Sequence, residues 1–301
     1  YAEQYVTLQN AIGRQAIEPN FSADSFFGVG LYRIDGASGA SPSLVGPLNK
    51  DASNNDLFTG RSISEILVHP TQPGTIFVST ASGVGGIGGA TNGLPARGVF
   101  RSTNANTASP VFERLTGLAG NNNFAVRDIV IDPLNPNFLV ASVVTTSNAL
   151  AGIHVSTDAL AAAPTFTQRV SYTSASTNEV NAELAIQRSV GAPNPTVYVA
   201  TGNLGGRVLV NTDGGGAAWP QQIDNNFCTP QCFYDIAVAV APDDPARVYL
   251  AGAPAVPFAF STNSGTAFTL SSNGLHVDSH AITVAPGTPS TIYLGTDGGI
   301  Y

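Results

Sequence analysis

Short apolar runs, each halted by a polar turn, recur along the chain. Five are followed by a proline-bearing turn: HPTQP from His69 to Pro73, DPLNP from Asp132 to Pro136, GAPNP from Gly191 to Pro195, APDDP from Ala241 to Pro245 and APGTP from Ala285 to Pro289. The runs before the turns are Ile63–Val68, Val126–Ile131, Ala182–Ile186, Ile236–Val240 and Ala281–Val284. They are short and rich in β-branched residues, which predicts buried strands. A second run follows each turn: Thr75–Ser79, Phe138–Ser142, Thr196–Ala200, Arg247–Ala251 and Thr291–Gly295. Third runs are Gly98–Arg101, Gly152–Val155, Arg207–Val210 and Phe258–Phe260, and weaker fourth runs are Phe112–Leu115, Phe166–Val170, Trp219–Ile223 and Phe268–Ser271.

A phrase repeating every roughly 45–60 residues points to stacked or radial units. Four short strands per unit, joined by tight turns, describe the blade of an all-β propeller. No segment carries a long 3.6-residue periodicity with caps, so helices should be few. The pattern predicts a single domain over residues 1–301, with blades at about 62–118, 124–175, 178–229 and 234–275. Partial blades are expected at 1–50 and 277–301. Either the two partial pieces pair to close one blade, or the chain is a window cut from a longer array. The second arrangement is favoured, because Ile300-Tyr301 should run on into a third strand. It predicts an open sheet edge at each end.

Between the third and fourth runs lies a polar box: Ser102-Thr103-Asn104, Ser156-Thr157-Asp158, Asn211-Thr212-Asp213-Gly214-Gly215 and Ser261-Thr262-Asn263-Ser264-Gly265. An aromatic follows each one: Phe112, Phe166, Trp219 and Phe268. Asn or Asp can accept hydrogen bonds from backbone amides further along the turn, and Gly supplies a positive φ. The roles expected of Asn104, Asp158, Asp213 and Asn263 are therefore structural.

These boxes resemble the Asp-box, or BNR repeat, written Ser/Thr-x-Asp-x-Gly-x-x-Trp/Phe. That repeat is found in sialidases, family 74 xyloglucanases, the sortilin-type receptor propeller and a photosystem assembly-factor propeller. The phrases Leu275–Ala281, Tyr293–Tyr301 and Asn20–Arg33 look like those of large bacterial extracellular proteins of the sortilin-like type. The resemblance implies the propeller fold and an outer-rim, non-catalytic box. In this chain the boxes after Ser102 and Ser156 carry extra residues and a proline (Pro110, Pro164), and in the first unit the box has decayed to Ile34–Gly39.

The charge balance narrows the partners. There are 12 basic residues against 20 acidic, a formal net charge of −8. No basic stripe exists, so nucleic acid and anionic membrane surfaces are not expected partners. No apolar run is long enough to span a bilayer. Cys228 and Cys232 are the two cysteines. They are too few for a structural zinc site, and a local disulfide is preferred over two free thiols. Asn20-Phe21-Ser22 fits a glycosylation acceptor. Gly83–Gly89 reads as a surface loop, not a phosphate loop, since no Lys-Ser/Thr follows it.

The first strand of each blade is expected to line the channel. Its polar residues, Glu65, Asp128, Glu183, Asp235, Asp278 and His280, are candidates for the channel mouth. Such a ring could hold a cation or supply an acid/base pair, but water-solvated residues bonded to backbone amides are favoured. His276, Asp278 and His280 alternate, so on an extended strand they would share a face and could bind a divalent metal. Structural hydrogen bonding is preferred for them. No cofactor is expected.

A sialidase would need three clustered arginines, and Arg61, Arg101, Arg127 and Arg188 do not recur at matching positions. Thr296-Asp297-Gly298-Gly299-Ile300-Tyr301 is similar to the catalytic-Asp phrase of xyloglucanases, which makes Asp297 a weak catalytic candidate. That phrase also matches the ordinary repeat, and Trp219 is the lone tryptophan available to stack on sugars. The expectation is a secreted, cell-surface or periplasmic interaction or scaffold propeller, binding a protein or a glycan without catalysis. A place within a larger chain or assembly is part of the same expectation. The alternatives are a glycoside hydrolase and a structural part of an extracellular assembly.

Overall fold

The computed structural model describes residues 28–83, 93–118, 123–144, 149–172, 181–224, 226–285 and 287–301. Asn20-Phe21-Ser22 and most of Gly83–Gly89 lie outside these residues. The protein is all-β and takes the β-propeller fold. Among the described residues, helix is confined to 3-10 turns such as Asn203–Gly205, and no helix is long and apolar enough to cross a membrane. The chain divides into two compact units, Tyr1–Val126 and Arg127–Tyr301.

In the first unit, β1 (Leu31–Asp35) and β2 (Ser43–Leu48) form a two-stranded hairpin. A four-stranded meander follows: β3 (Arg61–Val68), β4 (Ile76–Gly83), β5 (Gly98–Ser102) and β6 (Glu113–Arg114). Leu31 and Leu48 of the hairpin pack with Ile76, Val78 and Phe100 of this sheet around Phe58. The Phe58 ring meets Phe100 and Phe112 edge-on, at centroid distances of 5.0 and 5.2 Å.

The second unit holds three further blades and begins within β7 (Ala125–Asp132), which is followed by β8 (Asn135–Val144), β9 (Gly152–Ser156) and β10 (Thr167–Ser171). Next come β11 (Ala182–Gln187), β12 (Thr196–Thr201), β13 (Arg207–Asn211) and β14 (Gln221–Asp224). The third is β15 (Ile236–Ala241), β16 (Asp244–Gly252), β17 (Ala259–Ser261) and β18 (Thr269–Leu270). Each is an antiparallel meander in chain order. A three-stranded sheet closes the unit: β19 (Ser279–Val284), β20 (Ile292–Thr296) and β21 (Gly299–Ile300). The third strand into which Ile300-Tyr301 is expected to run is present as Gly299–Ile300, which turns back onto Gly295 and Thr296.

Period-2 side-chain alternation explains how one blade fills two interfaces. In β12, Val197 and Val199 face Val140, Ile153 and Val155 of the preceding blade. Tyr198 and Ala200, between them in sequence, face Ile236, Val248 and Leu250 of the next. Each fully buried aliphatic side chain contributes about 1.5–3 kcal/mol. The first strands pack on one another, β11 on β15 and β15 on β19, so they form the inner row of this unit. Polar clamps register the blades: Arg188 pairs with the buried Asp132, and Tyr198 donates to the Pro245 carbonyl at 2.8 Å.

Two of the fourth strands, β6 and β18, are shorter than the sequence pattern predicts. Phe112 is buried in the core, but its amide donates to the Lys50 carbonyl at 2.9 Å and not to a sheet partner. Similarly, β18 has only Thr269 and Leu270, both exposed. Outer-edge residues gain little burial, so little holds them in ladder register.

Candidate functional site

The boxes consume their own polar groups. Asn104 Oδ1 accepts from the Val111 amide at 2.9 Å, Asp158 Oδ1 from Thr165 at 2.8 Å, Asp213 Oδ1 from Gly216 at 2.8 Å and Asn263 Oδ1 from Ala267 at 3.0 Å. The same oxygens of Asn104, Asp158 and Asn263 accept from the box serines Ser102, Ser156 and Ser261. The Thr165 amide holds the Asp158 carboxyl below its ordinary range, and the Asn211 side chain does the same for Asp213. These groups tie hairpins.

The first-strand acids separate into different roles. Asp128 is buried and accepts from the Ile129 amide at 2.7 Å and from Leu184 of the next blade at 2.6 Å, so it is spent on backbone. Its neighbour Arg127, on the opposite face of β7, donates from Nη2 to the Phe233 carbonyl at 3.1 Å and interacts electrostatically with Glu183. Burial lowers the Arg127 pKa, and Glu183 partly offsets this. In the first unit, desolvation raises the carboxyl of the half-buried Glu65.

One group of side chains converges in the second unit. Asp235 immediately precedes β15; His280 is on β19, and Asp278 and Asp297 flank the β19–β20 pair. His280 Nε2 lies 2.7 Å from Asp297 Oδ1, and its Nδ1 lies 3.2 Å from Asp235 Oδ1. The second approach is close but misdirected, because Asp235 Oδ1 is buried without a hydrogen-bond partner. Gln231, with its amide nitrogen turned inward, donates to Asp278 Oδ1 at 2.9 Å and Asp235 Oδ2 at 2.8 Å. Burial pushes the Asp235 carboxyl up to about 6; His280 opposes this, while the charges of Asp278 and Asp297 reinforce it.

The local chain explains the convergence. The Cys228–Cys232 disulfide closes a small loop, in which Gln231 N donates to the Cys228 carbonyl at 2.7 Å. The amides of Tyr234 and Asp235 then donate to the Gln231 carbonyl at 2.8 and 3.0 Å, curling the segment so that Gln231 and Asp235 meet. On the other side, Asp297 N donates to the Asp278 carbonyl at 3.1 Å, and Ser279 is paired with Thr296. This is the end of the β19–β20 pair away from the Pro turn, which joins Val284 to Ile292.

His276 does not join the group. The shared-face expectation assumed an extended strand from 276 to 280, but β19 begins at Ser279 and Asp278 has a left-handed φ of 61°. That bend breaks the alternation. His276 Nδ1 sits 3.0 Å from the Val277 carbonyl, and its side chain covers Gly298, where an added Cβ would lie 2.4 Å from the His276 Cβ. Among the described residues, no three His, Cys, Asp or Glu side chains are placed to hold a metal ion. The arginines do not converge either: Arg101 is bound to Glu113, Arg188 to Asp132 and Arg127 to the Phe233 carbonyl.

Sequence reading missed Gln231, Phe233 and Tyr234, and weighed Arg127 only for a sialidase-type arginine cluster. Phe233 and Tyr234 are exposed and stacked, and the Tyr234 ring centroid lies 4.6 Å from the His280 ring. The available signal was proximity to the cysteine pair, whose loop breaks the repeat. The arrangement offers a buried carboxyl, an imidazole beside it that is bonded to an exposed carboxylate, and an aromatic rim. It can accept hydrogen bonds, hold a positive charge or pass a proton.

No protein-family model matches the chain, and no curated protein matches it in sequence. Solved structures do resemble it. An ancestral GH74 enzyme aligns with a TM-score of 0.55 at 19% identity, over 85% of this chain and 31% of the other. The GH74 enzyme of Niastella koreensis aligns with a TM-score of 0.50 at 18% identity, over 90% of this chain and 48% of the other. The chain thus spans less than half the length of either enzyme. At these identities the likeness shows the propeller fold.

Proposed function

We propose that this chain is a non-catalytic interaction propeller of the Asp-box, sortilin-like type, working in a secreted, cell-surface or periplasmic setting and binding a protein or a glycan. The observation that carries this reading is the exposed Phe233–Tyr234 pair beside Asp235, His280 and Asp297. Aromatics exposed next to a polar cluster are typical of recognition surfaces. The disulfide fits an oxidising compartment.

A glycoside hydrolase is the second reading, favoured by one observation. Asp297 is exposed and hydrogen-bonded to His280, and the same ring lies 3.2 Å from Asp235, whose carboxyl is held at about 6. An acid with a raised pKa beside an ionised carboxylate is the pairing that glycoside hydrolysis uses. One panel decides between the readings: polysaccharides incubated with wild type, Asp297→Asn and Tyr234→Ala, measuring both reducing-end release and retention on the protein. The expected result is no hydrolysis by any form. Cleavage by wild type that Asp297→Asn abolishes overturns the non-catalytic reading.

A further inference from the structure

We infer that the surface made by Phe233, Tyr234, His280 and Asp297 binds a cationic side chain, a Lys or Arg presented by a basic segment of a protein partner. The inference rests on the reading of this face as a binding face and names the chemistry that occupies it.

Charge is the first argument. Asp235 and Asp297 both approach one imidazole, and Gln231 ties Asp278 to Asp235, so three carboxylates gather around a single basic side chain. Arg127 does not supply the difference, since its guanidinium is committed to the Phe233 carbonyl and to Glu183. The chain as a whole carries a formal charge of −8, which would steer a basic partner toward it.

Asp235 gives a second, independent sign. Its side chain is fully buried, yet Oδ1 accepts no hydrogen bond. A buried acceptor left unsatisfied is costly, and native structures keep few of them. A cation docked on Asp297 would compete with His280 Nε2 for that carboxylate and release the ring to take the tautomer that donates from Nδ1 to Asp235 Oδ1, 3.2 Å away.

The aromatic rim is the third argument. Phe233 and Tyr234 are 44% and 59% exposed, with ring planes 27° apart. An ammonium or guanidinium over such a ring face is attracted by its quadrupole while the neighbouring carboxylate takes the charge-assisted hydrogen bond. A neutral sugar would use the rings but leave the excess negative charge uncompensated.

The test uses the full chain and a labelled peptide alternating Arg or Lys with Ser and Gly, read by fluorescence anisotropy at low and physiological salt. A Glu-for-Lys/Arg counterpart is the control. Saturable binding of the basic peptide is expected, weakened about tenfold or more by Asp297→Asn and by Tyr234→Ala. Tyr234→Phe keeps a ring face and retains binding, which separates ring loss from misfolding. Asp243→Asn removes an exposed acid at the Pro-turn end of its blade and leaves binding unchanged. Absence of saturable binding overturns the inference, as does an equal loss in Asp243→Asn, which marks unspecific attraction. Retention of a polysaccharide that Tyr234→Ala abolishes, without basic-peptide binding, overturns it too and leaves the binding-face reading standing.

Discussion

Asp235 shows how one residue's environment sets both its protonation and its cost. Burial dominates, Asp278 and Asp297 add repulsion, and His280 offers partial relief. A folded-state pKa raised to about 6 means that the native protein holds this proton where the unfolded chain has already lost it. The corresponding stability is fully present below the ordinary Asp value of about 4 and is lost as pH rises through about 6. Urea unfolding measured from pH 4 to 7 is therefore expected to show a downward contribution of up to about 1.4 kcal/mol per pH unit. Asp235→Asn, which stays neutral, should flatten it. An unchanged slope would show that Asp235 titrates at its ordinary value.

At the scale of elements, the Cys228–Cys232 loop is the device that presents the site. It is too short to add a strand, and it interrupts the passage from β14 to β15 just where the inner row resumes. By the chain-entropy account, closing so short a loop stabilises the fold by about 2 kcal/mol. Reduction by dithiothreitol, or the double change of Cys228 and Cys232 to Ser, should lower the denaturant midpoint accordingly. It should also release Gln231 from Asp278, seen as loss of protection of the Tyr234 and Asp235 amides in hydrogen exchange. Full protection after reduction would show that the loop is held by packing alone.

Much of this level was legible in the sequence. The Pro turns and boxes predict hairpins because their residues act on their own backbone, within a few positions. What was not legible depended on the bend at Asp278. A left-handed φ in a non-glycine residue has no clear sequence mark, and it moved His276 out of the group that alternation predicted.

Within the second unit, stability is shared between blades, because the β11–β14 blade contributes one face to each of two cores. Leu250 is fully buried where two blades meet, packed with Tyr198, Val248 and Ile236. Leu250→Ala should cost about 2–5 kcal/mol, since the surrounding sheets can close only partly on the cavity. Thermal unfolding would measure this. A loss under 1 kcal/mol would mean that the neighbouring blades slide to refill the space.

The sequence by itself determined the strand order, the four-strand period, the acidic charge and the self-contained chemistry of the boxes, because each depends on local alternation or on bonds across a few residues. It named Asp235, Asp278 and His280 among the channel-mouth candidates and Asp297 apart from them. Only the tertiary structure decided which of the first-strand acids share a site. Asp128 lies within β7 and Asp235 just before β15; one is consumed by the Leu184 amide and the other is left with an unsatisfied oxygen. That difference comes from the packing of one inner strand on the next, and from a disulfide loop that carries Gln231, Phe233 and Tyr234 to the same place.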